Sequence, residues 1–213
     1  MISCLQEEIT QVLRYYTALG QYEHDGATLL EGSLSFLASV KGSEKIEACF
    51  DVSIRIPMDY PEELPVVSFN GDDAVRTFEH INADKSFCLA VPMEQQLIFN
   101  ESPCLLGFID NLVVPFLYSY SHFIRSGALP FGERAHGNAG LLEYYKDIFS
   151  SKDIQFTILK LDQCLGTGYR PHEKCPCGSG KKSLKCHAKT LKLLLSQQYK
   201  NVLKTDLNNL IRR

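Results

Sequence analysis

Leu5, Ile9, Val12, Leu13 and Tyr16 recur at helical spacing, so residues 5–18 are predicted as a helix, with Gly20 as its stop. A different period follows. Between Lys45 and Ile56, the residues Ile46, Ala48, Phe50, Val52, Ile54 and Ile56 alternate with others, which marks a strand with one face on a core. Thr28–Val40 is its partner in a hairpin, separated from it by the turn Lys41-Gly42-Ser43-Glu44. Pro57, Pro61 and Pro65 then punctuate the chain before a short strand, Val66–Phe69, which Asn70-Gly71-Asp72-Asp73 closes with turn-forming residues.

From Val75 to Asn100 no period is sustained, and a long irregular stretch inside a compact domain is usually functional. Ser102 as N-cap and Pro103 in the first turn start a helix running to about Arg125. Gly137–Phe149 and Asp153–Leu165 read as two further helices, and Gly166–Lys189 as a short, basic, Gly- and Cys-rich segment. Ala188–Leu210 reads as one amphipathic helix with Leu191, Leu194, Leu195, Tyr199, Val202 and Leu203 on a face. A helix, antiparallel strands, an irregular segment and more helices make an α+β layout.

Charge sharpens this division. The net charge of −3 conceals 9 Lys+Arg against 21 Asp+Glu in residues 1–150, and 13 against 4 in residues 151–213. An acidic body therefore precedes a basic extension, which could dock on the body, on an acidic partner or on nucleic acid. No apolar run reaches the roughly 18 residues of a membrane helix. Leu105–Tyr120 comes nearest, but Asp110, Asn111 and Pro115 interrupt it, so a buried core helix is expected. The first eight residues contain two acids where a signal peptide would be basic, so a cytoplasmic protein is expected. In that compartment the eight cysteines stay reduced, and Cys4, Cys49, Cys104 and Cys164 are expected as small buried hydrophobes.

The other four cysteines point to chemistry. Asp59-Tyr60-Pro61-Glu62-Glu63-Leu64-Pro65-Val66-Val67-Ser68-Phe69 resembles the Tyr-Pro-x-x-Pro-Pro-x-Val-x-Phe signature of ubiquitin-conjugating enzymes. At a comparable distance, His80-Ile81-Asn82-Ala83-Asp84-Lys85-Ser86-Phe87-Cys88-Leu89 resembles that family's Ile-Cys-Leu segment, whose cysteine carries the modifier. The resemblance covers residues 1–150 and implies a ubiquitin-conjugating-like fold, an antiparallel sheet flanked by helices, with Cys88 as the acyl-carrying thiol. A thiolate is nucleophilic near neutral pH, and its thioester passes an acyl group to an amine.

The pattern departs from the eukaryotic one. Those enzymes carry His-Pro-Asn with the Asn eight residues before the cysteine; here that position is His80, and Asn82 lies six before. An imidazole N–H is a suitable donor to a developing oxyanion. The pattern resembles bacterial members found in antiphage (CBASS-type) operons beside cGAS-like nucleotidyltransferases. Gly132-Glu133-Arg134-Ala135-His136-Gly137 with Leu141-Leu142-Glu143-Tyr144-Tyr145 also resembles the tail of those domains, making His136 a second candidate base or positioning group. Asp84 is a candidate to orient or deprotonate the incoming amine. The resemblance implies a thioester between Cys88 and the C-terminus of the nucleotidyltransferase, which is then conjugated to another molecule. With no Gly-rich nucleotide loop in the chain, charging requires either a separate activating enzyme or a route without one.

Cys175-Pro176-Cys177-Gly178-Ser179-Gly180-Lys181-Lys182-Ser183-Leu184-Lys185-Cys186-His187 supplies four ligands of the types that zinc prefers, Cys175, Cys177, Cys186 and His187. It resembles the SEC-C motif of bacterial and secretion-related proteins. Four protein ligands imply a closed, structural Zn2+ that supplies folding energy to a segment too small for a core of its own. The predicted organisation is a conjugating-like domain (1–150), a connecting helix and linker (151–169), the zinc motif (170–190) and a basic helix (191–213). Besides an enzyme, two readings compete: an inactive conjugating-fold scaffold, and a zinc-tail adaptor that binds a partner protein. No aromatics are interleaved with the basic residues, so nucleic acid is a secondary expectation through the tail alone.

Overall fold

A computed structural model describes residues 2–40, 44–71, 78–130 and 135–211. The chain opens with helix α1 (Ile2–Tyr15) and continues through strands β1 (Leu19–His24), β2 (Ala27–Ser39), β3 (Lys45–Ile56) and β4 (Val66–Phe69). After the irregular segment come α2 (Pro92–Phe99), α3 (Leu105–Phe108), a π-helical turn (Ile109–Val113) and α4 (Val114–Ser126). Helices α5 (Gly137–Phe149) and α6 (Ile154–Thr167), a 3-10 turn (Ser183–Lys185), and helices α7 (Ala188–Leu194) and α8 (Lys200–Ile211) complete the described elements. The architecture is α+β. Among the described residues, no helix is long and apolar enough to cross a membrane.

The chain forms two compact units, Met1–Ala90 with Leu97–Glu133, and Val91–Gln96 with Arg134–Arg213. The division falls after residue 133, whereas the sequence places a boundary after 150. Helix α5 packs on α6 and α8, and so belongs with the second unit.

In the first unit the sheet is an antiparallel meander in the order β1-β2-β3-β4. The predicted hairpin is present, with β2 and β3 paired from Thr28–Ile56 to Ser39–Lys45. Its inward positions are those of the period-two pattern: Ile46, Val52, Ile54 and Ile56 are buried, as are Leu30, Leu34 and Phe36 of β2, with Ile54 facing Leu30 across the hairpin. Gly32 sits at φ +135°, and a Cβ there would run into the Ala18 carbonyl oxygen, so only glycine lets the residues leading into β1 lie this close to β2. Glu8 of α1 ties two further segments together: its carboxylate accepts the Tyr60 hydroxyl and the Leu105 amide, each at 2.7 Å. Burial, and then that carboxylate, pushes the Tyr60 phenol far above its usual range.

Several expectations are corrected. Gly20 does not stop a helix but lies in β1, an edge strand whose single buried residue, Leu19, leaves no alternation to read. Helix α2 lies within the stretch that shows no period, because it is short and only Met93 and Phe99 of it are buried. The helix expected from Ser102 begins at Leu105, capped by the Cys104 sulfur, which accepts the Gly107 amide at 3.4 Å. The single C-terminal helix is two, α7 and α8, parted by a turn in which the Tyr199 amide bonds the Ser196 carbonyl at 3.1 Å. Cys4 and Cys49 are exposed rather than buried, since Cys49 falls on the outward side of β3 and Cys4 on the outer face of α1 beside Glu8. Cys104 and Cys164 are half-buried. Turn residues 41–43 and 72–73 lie outside the described residues, as do 75–77 and 132–134.

In the second unit, Asp206 of α8 is fully buried, and its carboxylate accepts the Tyr145 hydroxyl of α5 at 2.8 Å. Burial pushes this carboxyl up to about 6, against the Tyr145 hydroxyl and the Met93 backbone, which favour the charged form. A carboxyl raised in the fold stabilises it fully below the unfolded value and loses that contribution as pH rises through about 6. Asp206→Asn keeps an acceptor for Tyr145 and removes the buried charge. It is expected to stabilise the second unit at neutral pH by about 2 kcal/mol and to flatten the pH dependence between about 4 and 7. Urea midpoints of wild type and variant across that range measure both effects.

Candidate functional site

The segment bearing Cys88 is a small hairpin held by backbone bonds. The Asn82 amide bonds the Ser86 carbonyl at 2.8 Å, Ile81 bridges Phe87, and the Cys88 amide bonds the His80 carbonyl at 2.8 Å. In this register, residue 82 faces 86, 81 faces 87 and 80 faces 88. Eight residues in sequence thus become one cross-strand step, and the Cys88 sulfur lies within 4.8 Å of a His80 ring nitrogen. Lys85 turns the hairpin at φ +68°, and the Lys85 amide closes on the Asn82 carbonyl at 2.9 Å.

Phe87 fixes the hairpin to the sheet. The Phe87 amide bonds the Val67 carbonyl of β4 at 2.7 Å, while its ring stacks on Phe116 of α4 at 4.3 Å and meets Phe69 edge-on at 4.6 Å. Phe78 anchors the other end against Phe116, Tyr120 and Phe123, and its ring lies 5.4 Å from that of His80. Between these anchors residues 82–85 are exposed. Cys88 is half-buried, and burial pushes its thiol above the usual range, so at neutral pH it is mostly protonated.

Asp84, Ser86 and Asn82 form a polar knot in the turn. The Asp84 carboxylate accepts the Ser86 hydroxyl at 2.6 Å and the Ser86 amide at 3.0 Å, and the Asn82 side-chain amide donates to the Ser86 hydroxyl at 2.9 Å. Hydrogen bonds from the Ser86 side chain and then its backbone lower the Asp84 pKa, which weakens it as a base. Asp84 therefore serves first as a turn former. His136 belongs to the second unit, at the extended residue preceding α5.

The second unit assembles the other predicted site. The ligand atoms of Cys175, Cys177, Cys186 and His187 all lie within 4.8 Å of one another, a cluster that could hold a metal ion. Cys175 Sγ to His187 Nδ1 is 3.4 Å, Cys186 Sγ to His187 Nδ1 is 3.3 Å, and Cys177 Sγ to Cys186 Sγ is 3.6 Å. A tetrahedral ion held by thiolates at about 2.3 Å and imidazole at about 2.0 Å would separate sulfurs by about 3.8 Å and sulfur from nitrogen by about 3.5 Å. The residues fit such an ion.

Local structure explains the convergence. The Cys175 amide bonds the Lys181 carbonyl at 2.8 Å and Lys174 bridges Lys182, closing a loop that Gly178 and Gly180 turn at φ +77° and +74°. The His187 ring meets Phe149 of α5 edge-on at 5.2 Å. Burial lowers the His187 pKa and so favours the neutral, ligating imidazole. Burial also pushes Cys175 up to about 12; at Cys177 burial acts in the same direction, but hydrogen bonds led by Ser179 outweigh it and lower the thiol.

Spacing alone does not reveal Ser179. Its hydroxyl lies 3.2 Å from Cys177 Sγ and 3.4 Å from Cys186 Sγ, placed to donate to a thiolate once an ion is bound. A Ser two residues after Cys177, between two glycines, is the one signal for it in the sequence.

One unit therefore presents a thiol beside an imidazole, and the other a four-ligand cluster of metal-binding geometry. No protein-family model, curated protein or solved structure matches the chain.

Two outcomes follow from these geometries. Alkylation of Cys88 by iodoacetamide, mapped by mass spectrometry beside exposed Cys49, is expected to be the slower at about pH 8 and to accelerate more steeply at higher pH. Elemental analysis is expected to find one metal ion per chain, absent in Cys177→Ala, and Ser179→Ala is expected to lose about tenfold in affinity in competition with a chelator.

Proposed function

We propose that the first unit is a ubiquitin-conjugating-like domain that carries an acyl group as a thioester on Cys88. The observation that carries this reading is the hairpin register, which sets the Cys88 thiol beside the His80 ring at the edge of an exposed loop. An α-helix, a four-stranded antiparallel meander, a cysteine-bearing hairpin and further helices, in that order, agree with the fold that the Tyr-Pro and Cys-Leu segments imply.

In this reading the Cys88 sulfur attacks an activated C-terminal carbonyl, loses its proton to a base, and expels the activating group to leave the thioester. An amine then attacks the same carbonyl. The C–S bond breaks, an amide forms, and the amine's proton passes by way of base to the departing thiolate, restoring the thiol. In each step the carbonyl oxygen becomes an oxyanion, toward which the His80 ring N–H donates. Burial raises the pKa of Cys88, which makes the thiolate scarcer and favours removal of its proton by a base as attack proceeds. The carried protein is a cGAS-like nucleotidyltransferase, joined at its C-terminus and conjugated in bacterial antiphage (CBASS-type) defence. A separate activating enzyme charges the thiol, or the donor is already activated. In the second unit the cluster holds a structural Zn2+, supported by a ligand set of three sulfurs and one imidazole nitrogen with tetrahedral spacing.

A second reading, a conjugating fold kept as a binding scaffold, draws on the half-burial and raised pKa of Cys88. One experiment separates the two. With partner and activating components present, wild type is expected to give an adduct that thiols cleave, and Cys88→Ser one that thiols leave intact but hydroxide cleaves. His80→Ala is expected to slow both formation and discharge of the thioester, each by about 10²-fold. Absence of any thiol-sensitive adduct at Cys88 would favour the scaffold.

A further inference from the structure

Residues 174–205 contain eight lysines, no arginine and no acidic residue. Lys174, Lys181, Lys182, Lys185, Lys189, Lys192, Lys200 and Lys204 are all exposed, and among the described residues none is paired with an acid. The acids that flank the run in sequence are engaged elsewhere. Glu173 pairs with Arg170 at 3.4 Å, and Asp206 is buried on Tyr145. Such a density of uncompensated charge is costly unless an anion neutralises it.

The fold sets several of these charges in neighbouring pairs. The Lys174–Lys182 bridge sets two of them side by side, and the loop that holds the metal cluster fixes Lys181 and Lys185 near its ends. On α7, Lys189 shares a face with Lys192 and Leu193, one turn away, while Leu191 and Leu194 are buried. Lys200 and Lys204 repeat the one-turn spacing on α8. Two leucines interrupt the charge: Leu184, beside Lys185, is 52% exposed and Leu193 is 44% exposed.

We propose that this lysine-rich stretch of the second unit docks an acidic segment of another protein that also carries aliphatic side chains. The leucines decide between polyanions. A phosphate backbone would satisfy the lysines but offers nothing to cover Leu184 and Leu193. Single strands are instead gripped by exposed aromatics, and the one aromatic residue in the run, Tyr199, is buried. Lysine without arginine also suits point-charge neutralisation of carboxylates better than bidentate reading of phosphate or guanine. An acidic amphipathic segment meets both needs, with carboxylates on the lysine rows and aliphatic groups on the leucines.

The full, metal-loaded chain is titrated into four fluorescein-labelled probes: a 15-residue Glu/Leu amphipathic peptide, a 15-residue polyglutamate, a 15-nucleotide single strand and a 15-base-pair duplex. Anisotropy is expected to show the Glu/Leu peptide bound most tightly, weakening at least about tenfold between about 50 and 300 mM salt. Lys185→Glu with Lys189→Glu is expected to lose about tenfold on both peptides. Leu184→Ser with Leu193→Ser is expected to lower Glu/Leu binding severalfold and leave polyglutamate unchanged. Metal content and circular dichroism check each variant; if a variant misfolds, the ranking of the probes by wild type decides. No peptide binding at low salt, equal affinity for both peptides, or tighter binding of either nucleic acid overturns the proposal.

Discussion

The position of Cys88 depends on the burial of one side chain, Phe87. The hairpin from His80 to Cys88 is otherwise polar at its tip and could not hold a fixed place on the sheet through its own turn. The Phe87 ring is 6% exposed, and burying it against Phe69 and Phe116 contributes about 2–3 kcal/mol. Its amide bond to Val67 adds register to that affinity, because a ladder bond fixes which residues face each other. With Phe87 inward, Ser86 and Cys88 turn to the other side. The aromatic anchor and the thiol are thus two results of one alternation.

That dependence shows how far the site was legible in the sequence. The eight-residue interval between His80 and Cys88 could be counted, but its meaning lies in the hairpin that converts it into a cross-strand neighbour. The four metal ligands were legible because their spacing is a property of the ligand set and the turn glycines. Ser179 was not, since nothing in a serine's position says that its hydroxyl will lie between two sulfurs. For Asp84 the sequence allows both an amine-orienting or deprotonating group and a turn former, and its bonds to Ser86 are those of a turn former.

The fold was legible in proportion to how one-sided each element is. Strand β3 alternates strictly because one face is buried, and it was read to the residue. Helices α5 and α6 each carry a buried stripe and were also read closely. Strand β1 has one buried position and α2 two, too few to make a period. The break between α7 and α8 was hidden for the opposite reason. Leu193, Leu194 and Leu195 followed by Tyr199 keep the helical pattern running through a turn that only the backbone bonds reveal.

The cysteines show the same rule applied to chemistry. Burial acts on Cys88, Cys175 and Cys177 alike, raising the cost of a thiolate. What differs is the company. At the cluster, neighbouring donors and a neutral imidazole prepare a negative sulfur for a cation, and an ion would remove the cost of charge altogether. At Cys88 no such compensation is built into the hairpin turn, whose carboxylate is held by Ser86. A thiol of raised pKa is a poorer leaving group, so a thioester formed on it would resist adventitious water and discharge when an amine and a donor to the oxyanion act together. The property that makes Cys88 slow to deprotonate is therefore compatible with carriage, and it shifts the burden of rate onto groups that stabilise the tetrahedral intermediate. Among the described residues of the first unit, His80 has a ring nitrogen that the hairpin brings within 4.8 Å of the sulfur, and the proposed reading assigns that part to it.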